Sequence, residues 1–369
     1  MIEAGTPLPP LARGDRLARL RGRLEELGLD GLVTVHGPSL RYLCGFSGSS
    51  GLLVVRGDDG VLLTDSRYEV QAADEVDRTI EVRIAGDGLF DALSELARDW
   101  PGSPRVAFEP AHVSVRDKAR LERAAPEVDW TAREGLVESL RARKDVAEIA
   151  RIRRAAVLAC NALEETLGRV EEGISEAEIT AELEYRLRRA GSDGPAFESI
   201  VAVGPRSALP HARPSARILR EGDLLLLDFG AVVDGYRSDI TRTVVAGAAA
   251  AWQLAVHRAV LAAHDAAVAA VAAGAPAADV DAAARASLTE AGYGEHFGHS
   301  TGHGLGLEVH EEPAVSRRSE AILQAGNVVT IEPGVYLPGR GGVRLEDDVW
   351  VEEAGARPLT DFPLDLREL

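Results

Sequence analysis

The sequence predicts two domains: an α/β domain over residues 1–140, then an α+β domain over 141–369 built from two copies of one unit about a pseudo-twofold. Three observations predict this. At 369 residues the chain is too long for one average domain. Its first part alternates short apolar runs with amphipathic ones, whereas its second part sets long helical stretches ahead of strands. The second part also repeats itself in order. Gly173 to Gly191 and Gly274 to Gly292 bracket helices at the same spacing, each ending in Ala-Gly. LPHARP (209–214) is echoed by EVHEEP (308–313), and LREGDLLLLDFG (219–230) by LQAGNVVTIEPG (323–334), which sets Asp228 opposite Glu332. Matching helix lengths alone would be weak, but the ordered set of echoes is not easily accidental.

Within the first domain, LARLRGRLEELG (17–28) reads as an amphipathic helix and LVTV (32–35) as a buried strand. GLLVV (51–55) and VLLT (61–64) read as a hairpin turning through Asp58-Asp59-Gly60. YEVQAADEV follows as a helix and RVAFE (105–109) as a strand, while MIEAGTPLPPLARGD reads as a loose lead-in with no signal-peptide pattern. From Lys144 a long helix begins. Ser175 and Glu178 then form a capping box ahead of the stripe Ile179, Leu183 and Leu187, and Gly191 ends that helix.

Hydrophobic residues at 46% and charged residues at 27% suit a globular protein with a sizeable core. No apolar run nears the roughly 20 residues of a membrane span. The formal net charge of −18 argues against nucleic acid, because no basic stripe is present to displace counterions. It suits solubility, and also a protein that gathers carboxylates around cations. Cys44 and Cys160 lie far apart in apolar surroundings, which reads as two buried small hydrophobes in a reducing cytoplasm.

The chemistry concentrates in two hairpins. In DFGAVVDGYRSDITRT (228–243), Asp234-Gly235 is the preferred pair for a two-residue turn, which pairs Gly230 with Asp239. Asp228 and Asp239 then become diagonal neighbours on one face, with Cα atoms roughly 7–8 Å apart. In TIEPGVYLPGRGGVRLEDDV (330–349) the turn centres near Gly339, so Glu332 faces Glu346. Four convergent carboxylates need cations, since burying them ionised and unpaired is prohibitive. FGHSTGHGLGLEVHEEP (297–313) offers a nitrogen donor in His303, among glycines that permit close backbone approach. A mixed carboxylate and imidazole set suits two divalent ions, with Mn²⁺ the first expectation and Co²⁺ or Zn²⁺ as alternatives. Gly302-His303-Gly304-Leu305-Gly306 lacks the spacing and the βα setting of a dinucleotide loop.

With Asp228, Asp239, His303, Glu332 and Glu346 in that order, and with TGHGLGLEVHE, TIEPGVY and GVRLEDD around them, the chain resembles the pita-bread metallopeptidases. That family includes methionine aminopeptidase, aminopeptidase P and prolidase. YLCGFSGSSG (42–51) and LLTDSRYEVQA (62–72) resemble the creatinase-type leading domain of aminopeptidase P, so the nearest match is a small bacterial-type Xaa-Pro aminopeptidase. The resemblance implies that the five residues hold the metals, with Asp239 and Glu346 bridging. It implies a homodimer or higher assembly acting on proline-containing peptides. His211 and His310 match histidines that line the family's active site, and are expected to bind substrate and shuttle protons. His299 matches another site-lining histidine. Glu332 is expected to carry a proton to the leaving nitrogen as well. Arg344, on the same face as Glu346, is expected to orient that carboxylate or bind substrate.

The implied reaction is attack on the carbonyl before proline by a water acidified between two ions about 3.5–4 Å apart. Three rivals stand beside the aminopeptidase reading. A strict Xaa-Pro dipeptidase would need a cation such as Arg317, Arg318 or Arg340 for the carboxylate after proline. A metal-free pita-bread binding module and a creatinase-like hydrolase are both opposed by the intact ligand set. His36, His112, His257 and His264 read as ordinary, and Asp347 and Asp348 as structural.

Overall fold

The computed structural model describes residues 7–11 and 13–369; the rest of the N-terminal lead-in lies outside the described residues. The chain forms two compact units, Leu11–Arg141 and Ala142–Leu369, with residues 7–10 belonging to the second. No described helix is long and apolar enough to cross a membrane.

In the first unit the elements run α1 (Arg13–Glu26), β1 (Gly31–Thr34), α2 (Gly37–Cys44), β2 (Gly51–Arg56), β3 (Asp59–Thr64), α3 (Glu69–Glu75), β4 (Glu81–Ile84), α4 (Leu89–Ala97), β5 (Arg105–Phe108), α5 (Val115–Ala124) and β6 (Asp129–Ala132). The sheet order is β4-β3-β2-β1-β5-β6, mixed in direction, with the β1–β2–β3 meander antiparallel. Val33, Leu52, Val54 and Leu63 pack with Leu93 and Leu121 in its core. One expectation shifts by a residue. Arg56 pairs with Asp59, so the β2–β3 turn is Gly57-Asp58, with Gly57 at φ 54°. Gly60 lies inside the strand because a Cβ there would meet Ile80 Cδ1 at 2.2 Å.

A short helix α6 (Glu138–Ala142) precedes the second unit, whose duplication is explicit. Helices α7 (Val146–Leu167) and α8 (Glu176–Arg189) are matched by α9 (Ala251–Ala270) and α10 (Ala277–Glu290). The Ser175–Glu178 capping box starts α8, and Ile179, Leu183 and Leu187 are fully buried. Backbone bonds repeat too. Gly173 N–H donates to Leu219 O at 2.9 Å, and Gly274 N–H to Leu323 O at 2.8 Å. Ser192 N–H reaches Leu187 O at 3.1 Å, and Tyr293 N–H reaches Leu288 O at 2.8 Å.

The first half's strands are β7 (Ile200–Val203), β8 (Leu224–Phe229), β9 (Val232–Val233), β10 (Tyr236–Arg237) and β11 (Ile240–Val245). The second half has β12 (Gly302–Gly304), β13 (Glu311–Val315), β14 (Val328–Ile331), β15 (Gly334–Leu337), β16 (Gly341–Arg344), β17 (Asp347–Glu352) and β18 (Gly355–Pro358). They form sheets ordered β11-β8-β7 and β13-β12-β14-β17-β18, plus the ribbons β10-β9 and β15-β16. Leu225, Leu227 and Phe229 share a core with Ile179 and Leu183 of α8. Side chains alternate along a strand, so Asp228 faces away from that core. Val329 and Ile331 likewise pack with Val280 and Leu288 of α10, leaving Thr330 and Glu332 on the other face. Burial of each such apolar side chain stabilises by about 1.5–3 kcal/mol, and this fixes where the carboxylates point.

Candidate metal centre

Two hairpins carry the acids, with the registers that the turns dictate. Ile240 pairs with Phe229 and Tyr236 with Val233, a single register that closes on the two-residue turn Asp234-Gly235. Both turn residues have positive φ, 48° and 78°, as a type I′ turn requires. Gly334 pairs with Arg344 and Ile331 with Asp347, so Glu332 and Glu346 occupy opposed positions. The hairpins are joined at a bridge between Thr241 and Glu346, where Glu346 N–H donates to Thr241 O at 3.1 Å.

His303 sits on β12, between two glycines that each meet a neighbouring carbonyl. A Cβ on Gly302 would lie 1.8 Å from Thr330 O, and one on Gly304 would lie 2.3 Å from Glu312 O. His303 Nδ1 lies 3.0 Å from Gly304 O, so that nitrogen donates and Nε2 keeps its lone pair. Nε2 lies 3.4 Å from Glu332 Oε1 and 3.8 Å from Asp239 Oδ2. Burial, reinforced by His310, holds the His303 imidazole down to about 4, which keeps it neutral and able to ligate.

The acids are crowded. Burial, then Glu346 and Asp228, pushes the Asp239 carboxyl well above its ordinary value. Burial, Glu332 and Asp228 do the same to Glu346. Glu332 is raised by burial to about 8, against the opposing pull of Arg344. The donor set fits divalent cations. Asp239, His303 and Glu346 each place one ligand atom within 4.8 Å of the others, and Asp239 Oδ1 is buried with no hydrogen-bond partner. Asp228 and Glu332 flank this trio.

Arg344 makes its direct ion pair with Asp228. It is buried, and its Nη2 donates to Asp228 Oδ2 rather than to Glu346. Its Nε donates to Thr241 Oγ1 at 3.1 Å, and that hydroxyl donates to Glu346 Oε2 at 2.5 Å, so Arg344 is linked to Glu346 by hydrogen bonds through Thr241, while its charge also opposes the rise of that carboxyl. Its Nη1 donates to Tyr336 Oη at 2.7 Å. Tyr336 Oη lies 2.7 Å from His299 Nε2, and His299 Nδ1 lies 2.8 Å from Ser300 O. With Nδ1 donating, Tyr336 donates to Nε2, which forms a directed chain from Arg344 to His299. Burial, followed by Arg344, lowers His299 to about 4. His310 is exposed, with its ring 4.2 Å from that of His303, and the charge of His211 is felt by both His299 and His310.

Sequence reasoning missed Tyr336, Thr241 and Arg242, and read Asp348 as structural without placing its partner. Asp348 accepts from Asp239 N–H at 3.0 Å. Arg242 donates to Glu346 O at 2.6 Å and Asp347 Oδ1 at 2.7 Å. Period-two counting could have found two of the missed residues and the setting of Asp348, since Tyr336 shares parity with Glu332, Thr241 with Asp239 and Asp348 with Glu346. Arg242 carried no such signal.

A buried convergence of carboxylates and imidazole on paired hairpins of a duplicated α+β unit defines a metal-dependent hydrolase centre. Residues 150–353 match Metallopeptidase family M24, and residues 16–143 match the Creatinase/Prolidase N-terminal domain. The Xaa-Pro dipeptidase of Pyrococcus furiosus is 34% identical over 358 residues, covering 95% of this chain and 99% of its own. The solved Xaa-Pro dipeptidase from Bacillus anthracis superposes with a TM-score of 0.93 at 36% identity, covering 97% of this chain and 100% of its own. The X-Pro aminopeptidase from Thermotoga maritima MSB8 gives a TM-score of 0.89 at 38% identity, covering 94% and 100%. The chain belongs to metallopeptidase family M24, with its pita-bread fold, and is a hydrolase that uses divalent metal.

Proposed function

We propose that the protein is an Xaa-Pro dipeptidase, cleaving the bond before proline in dipeptides. The observation that carries this is end-to-end similarity to the Pyrococcus furiosus dipeptidase, at 95% and 99% coverage. The Bacillus anthracis dipeptidase structure supports the same reading. This replaces the aminopeptidase reading that the leading-domain motifs favoured. Those motifs lie within a domain type described for creatinase and prolidase alike, so they do not discriminate. Aminopeptidase activity stays as the second reading, favoured by the Thermotoga maritima structure.

In this proposal Asp228, Asp239, His303, Glu332 and Glu346 would hold two divalent ions, manganese first, with Asp239 and Glu346 as the central carboxylates of the set. Such a pair supplies Lewis-acid polarisation of a carbonyl and acidifies water. His303 keeps its lone pair directed at the acids through the Nδ1 bond to Gly304 O. His211, His299 and His310 orient the substrate. His310 and His211 move protons at the rim, and Glu332 delivers one to the proline nitrogen. Arg344 holds Asp228 and, through Tyr336, is linked to His299 Nε2. We further propose a cytoplasmic homodimer or higher homo-oligomer, which size-exclusion chromatography with light scattering would check.

The deciding experiment compares kcat/KM for Xaa-Pro and Xaa-Pro-Xaa peptides, since that ratio measures discrimination. Dipeptides cleaved at least tenfold better, on the order of 1.4 kcal/mol of discrimination, is the expected result. Tripeptides cleaved equally well or better would return the aminopeptidase reading.

A further inference from the structure

Two buried acids outside the ligand set gather the loops that carry site-lining histidines. Asp281, on α10, is 0% exposed and accepts from Thr301 N–H at 3.1 Å and Thr301 Oγ1 at 2.9 Å. Its carboxylate also takes both arms of Arg285, Nε at 2.6 Å and Nη2 at 3.0 Å. Arg285 then reaches on to the loop, donating from Nη1 to Phe297 O at 3.1 Å and from Nη2 to His299 O. Its guanidinium lies 4.2 Å from the Phe297 ring centroid, and that ring meets His299 edge-on at 4.9 Å. Thr301 O in turn accepts from Glu332 N–H at 2.8 Å.

The other half builds the same device from different residues. Glu176, in the first turn of α8, is also 0% exposed. It accepts from Val203 N–H at 2.9 Å, from Ser215 N–H at 2.9 Å and from Ser215 Oγ at 2.5 Å. Arg206 Nε bonds both of its oxygens, at 2.9 and 3.0 Å, and Arg206 Nη2 donates to Arg213 O at 2.6 Å. His211 lies between those anchor points. In one half the arginine comes from the helix and in the other from the loop, so a shared sequence position does not explain the recurrence. A buried acid fully occupied by loop donors is costly to leave unpaired, which makes each clamp stiff.

We propose that Asp281–Arg285 and Glu176–Arg206 are positioning pairs that fix His299 and His211 for substrate, acting through loop geometry. The proposal rests on the peptidase reading for what those histidines do, but the clamps themselves can be read without turnover.

The test is a double-mutant cycle joined to hydrogen exchange. Asp281→Asn keeps an acceptor for Thr301 but removes the charge that holds Arg285. Expected is a loss of about 10- to 100-fold in kcat/KM with metal content unchanged, shrinking to less than about threefold in a His299→Ala background, because coupled residues are not additive. Amide exchange should rise across 297–301 and stay unchanged across 240–245. Glu176→Gln against His211→Ala should behave alike, with exchange rising across 204–213. Equal losses in both backgrounds, or undisturbed loop exchange, would overturn the proposal. If Asp281→Asn does not fold, Arg285→Lys, which keeps the charge but loses the fork, is read the same way. Wild-type protein inactive on every proline peptide, yet with the exchange pattern as stated, would count against the substrate reading and leave the clamps standing.

Discussion

The two halves of the catalytic unit differ most at one position. β7 lies against β8 with Ile200 opposite Asp228, and β12 lies against β14 with Thr301 O accepting from Glu332 N–H. Counting along both strands sets Ala202 where His303 stands. On the proposed ligand set each half brings two carboxylates, Asp228 and Asp239 or Glu332 and Glu346, while the imidazole ligand comes from the second. His303 is flanked by glycines whose Cβ atoms would collide with backbone, whereas Ala202 is flanked by Val201 and Val203.

Variants across the two halves can break or sharpen this comparison. The largest effect is expected at Asp239, shared by the trio and lacking a hydrogen-bond partner on Oδ1. Asp239→Asn should lower kcat by at least about 10³-fold with the fold intact by circular dichroism. Near-normal turnover would remove Asp239 from the ligand set. Next is His303→Ala, expected to weaken metal binding by more than about 10²-fold in titration calorimetry, beyond the effect of a typical supporting residue. Its counterpart Ala202→Gly should leave metal affinity unchanged and cost only about 1 kcal/mol of stability. Equal metal loss in both variants would erase the asymmetry.

His310→Ala should cut turnover by about 10²-fold while metal content stays the same, the range expected of a lost acid–base contact. Loss of metal would make His310 a ligand. Smaller again is the contrast between Gly230 and Gly334. A Cβ on Gly230 would meet Ser238 O at 1.8 Å, a rigid backbone atom, while one on Gly334 would meet Tyr336 Oη at 2.6 Å. Gly230→Ala should cost about 2–3 kcal/mol in denaturant unfolding, and Gly334→Ala should cost less in stability while disturbing the Tyr336–His299 contact. Near-equal stability losses would mean that the two glycines serve the same need. The smallest effect belongs to Asp234→Asn, which loses the half-exposed Arg151 ion pair but keeps a residue tolerant of positive φ; about 0.5 kcal/mol is expected.

Sequence showed the acids clearly because both hairpins obey simple arithmetic. A two-residue turn at Asp234-Gly235 fixes the partner of every residue from 224 to 245, and the centre near Gly339 does the same for 328 to 350. Alternation then decides which side chains meet. The Arg344–Asp228 pair was not legible, because it joins residues from different halves and depends on how the hairpins meet at Thr241 and Glu346. Asp281 and Glu176 were invisible for a related reason. On a helical pattern a buried acid looks like any surface acid, and only the loop folded over it reveals its partners. In the first unit the Gly57-Asp58 turn was misplaced because Asp-Gly at 59–60 imitated a turn signal, whereas Gly60 lies in the strand with Ile80 packed against it.

On the proposed ligand set, residues from both halves jointly hold the metal on which hydrolysis depends. Metal content by elemental analysis, followed together with Xaa-Pro hydrolysis as chelated protein is titrated with Mn²⁺, tests it most directly. The account predicts no activity after chelation and full recovery as two ions per chain are bound, with neither binding nor recovery complete in Asp239→Asn or Glu346→Gln. Full activity in protein carrying no metal, or two tightly held ions in both variants, would contradict it.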